Sequence, residues 1–66
     1  SVMVSRITAD QIRMARASLG WSFEDFALNS GVSARTIRRI ERENGLSVVT
    51  PANLKLIVTT LEAAGV

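Results

Sequence analysis

The sequence predicts an all-α domain of four short helices, or five if one further turn forms, and three observations predict it. A residue suited to N-capping recurs at four places, each followed by an apolar periodic segment. Each segment stops just before one of the chain's four glycines. Inside the segments the apolar residues recur at three- and four-residue spacing, the period of a helix that buries one face.

The first helix is expected at about 9–19. Thr8 caps it, Gln11 stands at the third helical position, Ile7 can close over Ile12 as a hydrophobic staple, and Gly20 ends it. Its inward stripe is Ile12, Ala15, Arg16 and Leu19, so one member carries a full positive charge. The second helix, about 23–30, starts in the same way: Ser22 caps, Asp25 stands at the third position, Trp21 can close over Phe26, and Gly31 ends it. The third, about 34–44, is capped by Ser33, with Val32 and Ile37 as its staple, Thr36 as a weaker third residue, and Gly45 as its stop. The fourth, about 51–64, is capped by Thr50. Pro51 takes the first helical slot, where a missing N–H breaks no helical bond, and Val49 can meet Leu54. Its core stripe is Leu54, Ile57, Val58 and Leu61, with Leu56, Thr60 and Ala63 on a milder second face. Residues 46–50, LSVVT, can form a short extended segment, and residues 1–5 read as a loose arm.

Sixty-six residues make one domain, residues 1–66, because so short a chain buries only about 60% of its unfolded surface and cannot fill two cores. With 47% hydrophobic and 21% charged residues it is a folding chain rather than a disordered one. The absence of Cys excludes disulfides and thiolate metal sites, and the absence of His removes the usual general base and metal ligand. Glu24 and Asp25 are neighbours, which on a helix diverge by about 100° rather than converge on one cleft. No catalytic residues, metal ligands, cofactor or small-molecule ligand are therefore expected. No apolar run approaches the ~18 residues of a membrane span and no signal peptide is recognisable, so a cytoplasmic protein without membrane contact is expected.

The informative stretch is GVSARTIRRIER, residues 31–42, which holds four of the chain's eight basic residues. Stepping about 100° per residue puts Arg35, Arg38, Arg39 and Arg42 in one ~100° arc opposite Ile37 and Ile40. A charge run on a surface helix is commonly just its solvated face. Four like charges so closely spaced nonetheless repel, which calls for a polyanion opposite them. The major groove of B-DNA accepts a helix, and arginine grips guanine through a bidentate fork. The same wheel turns Glu41 inward, so Arg16 has two readings, a phosphate contact or a partly buried ion pair with Glu41 that sets how two helices cross. The ion pair is favoured, because both charges lie on core-facing stripes.

From Phe23 to Arg42 the chain reads FEDFALNSGVSARTIRRIER: a small Ala27 where two helices meet, Gly31 at the bend, Val32 after it, then Ile37 and Ile40. This resembles the helix-turn-helix, about 23–42, of the Cro/C1 (lambda-repressor-like, XRE) family of bacterial and phage transcriptional regulators. IRMARASLGWS and TIRRIERENG are similar to the family's first helix and to the end of its recognition helix. The resemblance covers about residues 7–64. It implies a compact lambda-repressor-like fold, double-stranded DNA as partner, a homodimer and, in function, a repressor. It also implies that Arg16 pairs with Glu41; that Ser33, Ala34, Arg35, Arg38 and Arg39 approach base edges or adjacent phosphates; that Arg42 meets the backbone; and that Ser22 and Phe23 stand where a phosphate is anchored. Phe23 departs from the glutamine common there and supplies no hydrogen bond; Ala34 offers only a methyl, able to meet a thymine methyl. A rival from another class keeps the fold but docks it on an acidic protein, as an antitoxin-like or adaptor module; Phe23 and Leu56 favour it.

Overall fold

The computed structural model describes residues 7–43 and 49–66, which form four helices: α1 Ala9–Leu19, α2 Phe23–Ser30, α3 Ala34–Glu43 and α4 Pro51–Ala63. Every start coincides with its expected cap. The ends of α1, α2 and α4 agree to within one residue, α4 stopping at Ala63, and α3 is described as far as Glu43. The expected stop at Gly45, most of the extended segment at 46–50 and the arm at 1–5 lie outside the described residues.

Local bonding explains the starts. The Thr8 hydroxyl accepts from the Gln11 N–H at 3.1 Å while the Gln11 side chain accepts from the Thr8 N–H at 2.9 Å. Ser22 and Asp25 repeat the exchange at 3.0 and 3.1 Å. Ser33 accepts from the Thr36 N–H at 3.2 Å, and the two hydroxyls bond at 2.8 Å, so Thr36 works as a third residue after all. Thr50 accepts from the Asn53 N–H at 3.2 Å ahead of α4. Each capping hydroxyl accepts from an N–H that the helix itself leaves without an acceptor, and such a cap contributes about 1 kcal/mol.

Burial follows the predicted stripes. Ile12 and Ala15 of α1, Phe26 of α2, Ile37 and Ile40 of α3, and Ile57, Val58 and Leu61 of α4 are buried together with Ile7, Ala9 and Val32. Leu54, expected in the core stripe, is half-buried and packs against the core from its margin, as Val49 does. Trp21 and Phe26 meet at 5.5 Å between ring centroids, inclined by 60°, within the range aromatic pairs favour. The second face of α4 divides: Leu56 and Ala63 are exposed, whereas Thr60 turns toward α2 and donates to the Asn29 carbonyl at 3.4 Å. Helix α3 packs against both α2 and α1, and α4 packs against α2. No described helix is long and apolar enough to cross a membrane.

A polar link also crosses this core. Arg16 donates from Nε to Glu41 Oε2 at 2.7 Å and from Nη2 to Oε1 at 2.8 Å, and its Nη1 donates to the Trp21 carbonyl at 2.8 Å. The Glu41 side chain is only 3% exposed and that of Arg16 19%. The hydrogen bonds to Glu41 raise the Arg16 pKa above its ordinary value; desolvation opposes the rise and the Coulomb attraction adds to it. A group whose pKa rises on folding stabilises the fold at any pH below its unfolded value. The arginine therefore stays charged, and its contribution disappears only in strong alkali.

Removing one partner of such a pair strands a charge away from water, which costs about 3–5 kcal/mol, comparable with the whole stability of a small domain. Glu41→Ala is therefore expected to lower the urea midpoint severely or unfold the chain. Glu24→Ala, at an exposed carboxylate, should change stability by less than about 1 kcal/mol. Similar small losses for both would contradict the account.

Candidate nucleic-acid interface

The geometry of the bend between α2 and α3 decides what the arginines can reach. Gly31 closes α2 with φ 80°, and its N–H donates to the Ala27 carbonyl at 2.9 Å. A side chain there would meet no neighbour, so glycine is required by the backbone angle and not by space. Ala27 is partly buried where the helices approach, and Val32 is buried just beyond the bend. The side chain of Ser30 fastens the two sides together: its hydroxyl donates to the Phe26 carbonyl at 2.8 Å and accepts from the Val32 N–H at 3.1 Å. Ser30 is itself buried, so both bonds lie out of water.

Helix α3 leaves this bend with two separate faces. Ile37 and Ile40 are inaccessible to solvent, while Arg35, Arg38, Arg39 and Arg42 are all exposed. Glu41 lies within the basic run, yet its carboxylate is turned inward and bound by Arg16. It therefore does little to neutralise the outer arc. Ser33 and Ala34 stand at the head of the helix, Ser33 exposed and occupied as its cap, Ala34 half-buried.

The head of α2 lies beside this arc. Ser22 is exposed, and its hydroxyl and N–H are both used in the cap with Asp25. Phe23, the first residue of α2, is half-buried, and two guanidinium groups stand over its ring: Arg16 at 4.3 Å and Arg38 at 5.1 Å from the centroid. Arg38 also comes within 3.9 Å of the Glu24 carboxylate. The structure thus brings Phe23 and Arg38 together and sets Arg38 toward α2. Arg35 and Arg42 have no such neighbour on α2 among the contacts seen.

Two contributors escape sequence reasoning. Ser30 carries a weak signal, a serine one residue before the stop glycine and four after Phe26, where its hydroxyl can turn back on the helix. The contacts of Phe23 carry none, because Arg16 and Arg38 meet it only once three helices are packed. No group of carboxylates among the described residues could hold a metal ion.

A family model described as helix-turn-helix matches residues 12–63. Neither the curated proteins nor the solved structures yield a match. The matched span includes the whole of α2, the bend and α3, together with the Arg16–Glu41 pair.

Ser30→Ala is expected to leave the Val32 N–H buried without an acceptor, at a cost of about 1–3 kcal/mol. Amide hydrogen exchange at Val32 should accelerate more than exchange at Ile12, which lies on the separate helix α1. Equal acceleration at both sites would show that the serine has no local role.

Proposed function

The chain belongs to the Cro/C1-type helix-turn-helix family of DNA-binding regulators, and on that premise we propose that it binds duplex DNA sequence-specifically as a homodimeric repressor, with α3 in the major groove. The observation that carries this reading is the four-arginine face of α3, exposed along its length while the acid within the run is turned into the core. A helix fits the major groove, and an arginine fork discriminates guanine by about 1–3 kcal/mol. Arg35 and Arg39 are assigned to base edges, with Ser33 and Ala34 at the tip of the helix beside them. Arg42, one turn further from that tip, is assigned to the phosphate backbone.

A single short helix reads only a few base pairs. Two copies bound to half-sites about one helical turn apart, ~34 Å, would supply the remaining affinity and fix a palindromic site. Repression would follow from occupying such a site in place of the transcription machinery.

The exposure of two leucines, Leu28 on α2 at 85% and Leu56 on α4 at 44%, favours the rival reading, in which an acidic protein takes the place of DNA. Single exposed leucines are common on surfaces that bind nothing, so the charged face outweighs it. The two readings differ in how steeply binding falls with salt, since release of condensed counterions from DNA adds to the screening that any charged pair undergoes.

Arg35→Ala or Arg39→Ala is expected to relax sequence preference and weaken specific binding by about 1–3 kcal/mol. Arg42→Ala should weaken all duplexes alike and flatten the slope of log K against log salt by about one unit. Selection from a random oligonucleotide pool should return a palindromic site. Recovery of no duplex, together with protein binding that falls less steeply with salt, would overturn the assignment.

A further inference from the structure

Phe23 is the first residue of α2, and its side chain can form no hydrogen bond. What it does instead is visible in its neighbours. Arg16 stands over its ring at 4.3 Å, and that guanidinium is immobilised by two bonds to Glu41 and one to the Trp21 carbonyl. The ring is therefore held against a fixed group. Arg38, from α3, stands over the same ring at 5.1 Å.

Cation–π contact orients a guanidinium without using any of its N–H groups. Arg38 is thus set in place with its donors still available. Its other neighbour, Glu24, is 3.9 Å away, beyond hydrogen-bonding distance, and 70% exposed. An exposed pair of that kind is weak, and a phosphate can replace the carboxylate as counter-charge. The direction in which Arg38 is set also matters. It leans from α3 toward the first residue of α2, where the helix dipole favours an anion and where the first helix of this motif crosses the DNA backbone.

We propose that Phe23 is a positioning residue of the interface: its ring holds the Arg38 guanidinium at the head of α2, where it binds a backbone phosphate and reads no base. This rests on the DNA-binding reading above and assigns Arg38 a task distinct from that of Arg35 and Arg39. Glu41, Arg16, Phe23 and Arg38 then form one continuous line from the buried ion pair to the polyanion.

The test combines spectroscopy of the free protein with duplex binding. In the free protein, the ring current of Phe23 should move the Arg38 side-chain protons upfield, and Phe23→Leu should abolish the shift while Phe23→Tyr keeps it. In binding to the selected duplex, Arg38→Ala should weaken affinity about three- to tenfold, flatten the salt slope by about one unit and leave base preference unchanged. In the Phe23→Leu background the same Arg38→Ala change should cost less than twofold, and Phe23→Tyr should bind like the parent. Thermal melts identify any variant that has lost its fold, and the proton shifts of the parent chain decide the ring contact without any variant.

Unshifted Arg38 protons, an equal Arg38→Ala loss in both backgrounds, or an altered base preference in Arg38→Ala would overturn the proposal while leaving DNA binding intact. Failure of the parent chain to bind any duplex would overturn both.

Discussion

The bidentate bond between Arg16 and Glu41 is the constraint on which the rest of this small domain depends. It joins residues 25 apart in sequence and locks α1 to α3 at a fixed crossing. Apolar packing alone tolerates sliding and rotation, because dispersion and hydrophobic burial have little directionality. A fork meeting a carboxylate with two parallel bonds does not. Since Glu41 follows Ile40 and precedes Arg42, anchoring its carboxylate inward fixes the rotation of α3 about its own axis. That rotation is what sends the arginines outward.

The pair contributes more to geometry than to net stability. Desolvating two charges offsets much of their attraction, and a well-packed apolar pair would stabilise a core as well. An apolar replacement would, however, remove the guanidinium that stands over Phe23. The third bond of Arg16, to the Trp21 carbonyl, ties the α1–α2 connection into the same assembly. Three helices therefore take their relative positions from one guanidinium.

Helix α3 shows how a surface can concentrate like charge without unfolding. Its two isoleucines are wholly buried, which at about 25 cal/mol per Å² outweighs a few tenths of a kcal/mol of repulsion between neighbouring arginines. Arg38 is further relieved by the Phe23 ring and by Glu24. The remaining repulsion persists in the free protein and would be discharged against phosphates, giving part of the affinity that salt screens.

Much of this was determined by the sequence alone. Capping residues, stop glycines and the 3.6-residue period act within one turn of chain, so Thr8, Ser22, Ser33 and Thr50 mark their helices without knowledge of the rest of the fold. The Arg16–Glu41 pairing was legible for a related reason: two charges on inward stripes of separate helices must meet something of opposite sign. The outward arc of α3 followed from the same periodicity. The tertiary structure decided what no local rule encodes: that Phe23 lies under Arg16 and Arg38, and that Thr60 turns toward α2 rather than outward. Those contacts depend on distances between helices, and an interhelical distance is set by the packing of the whole core.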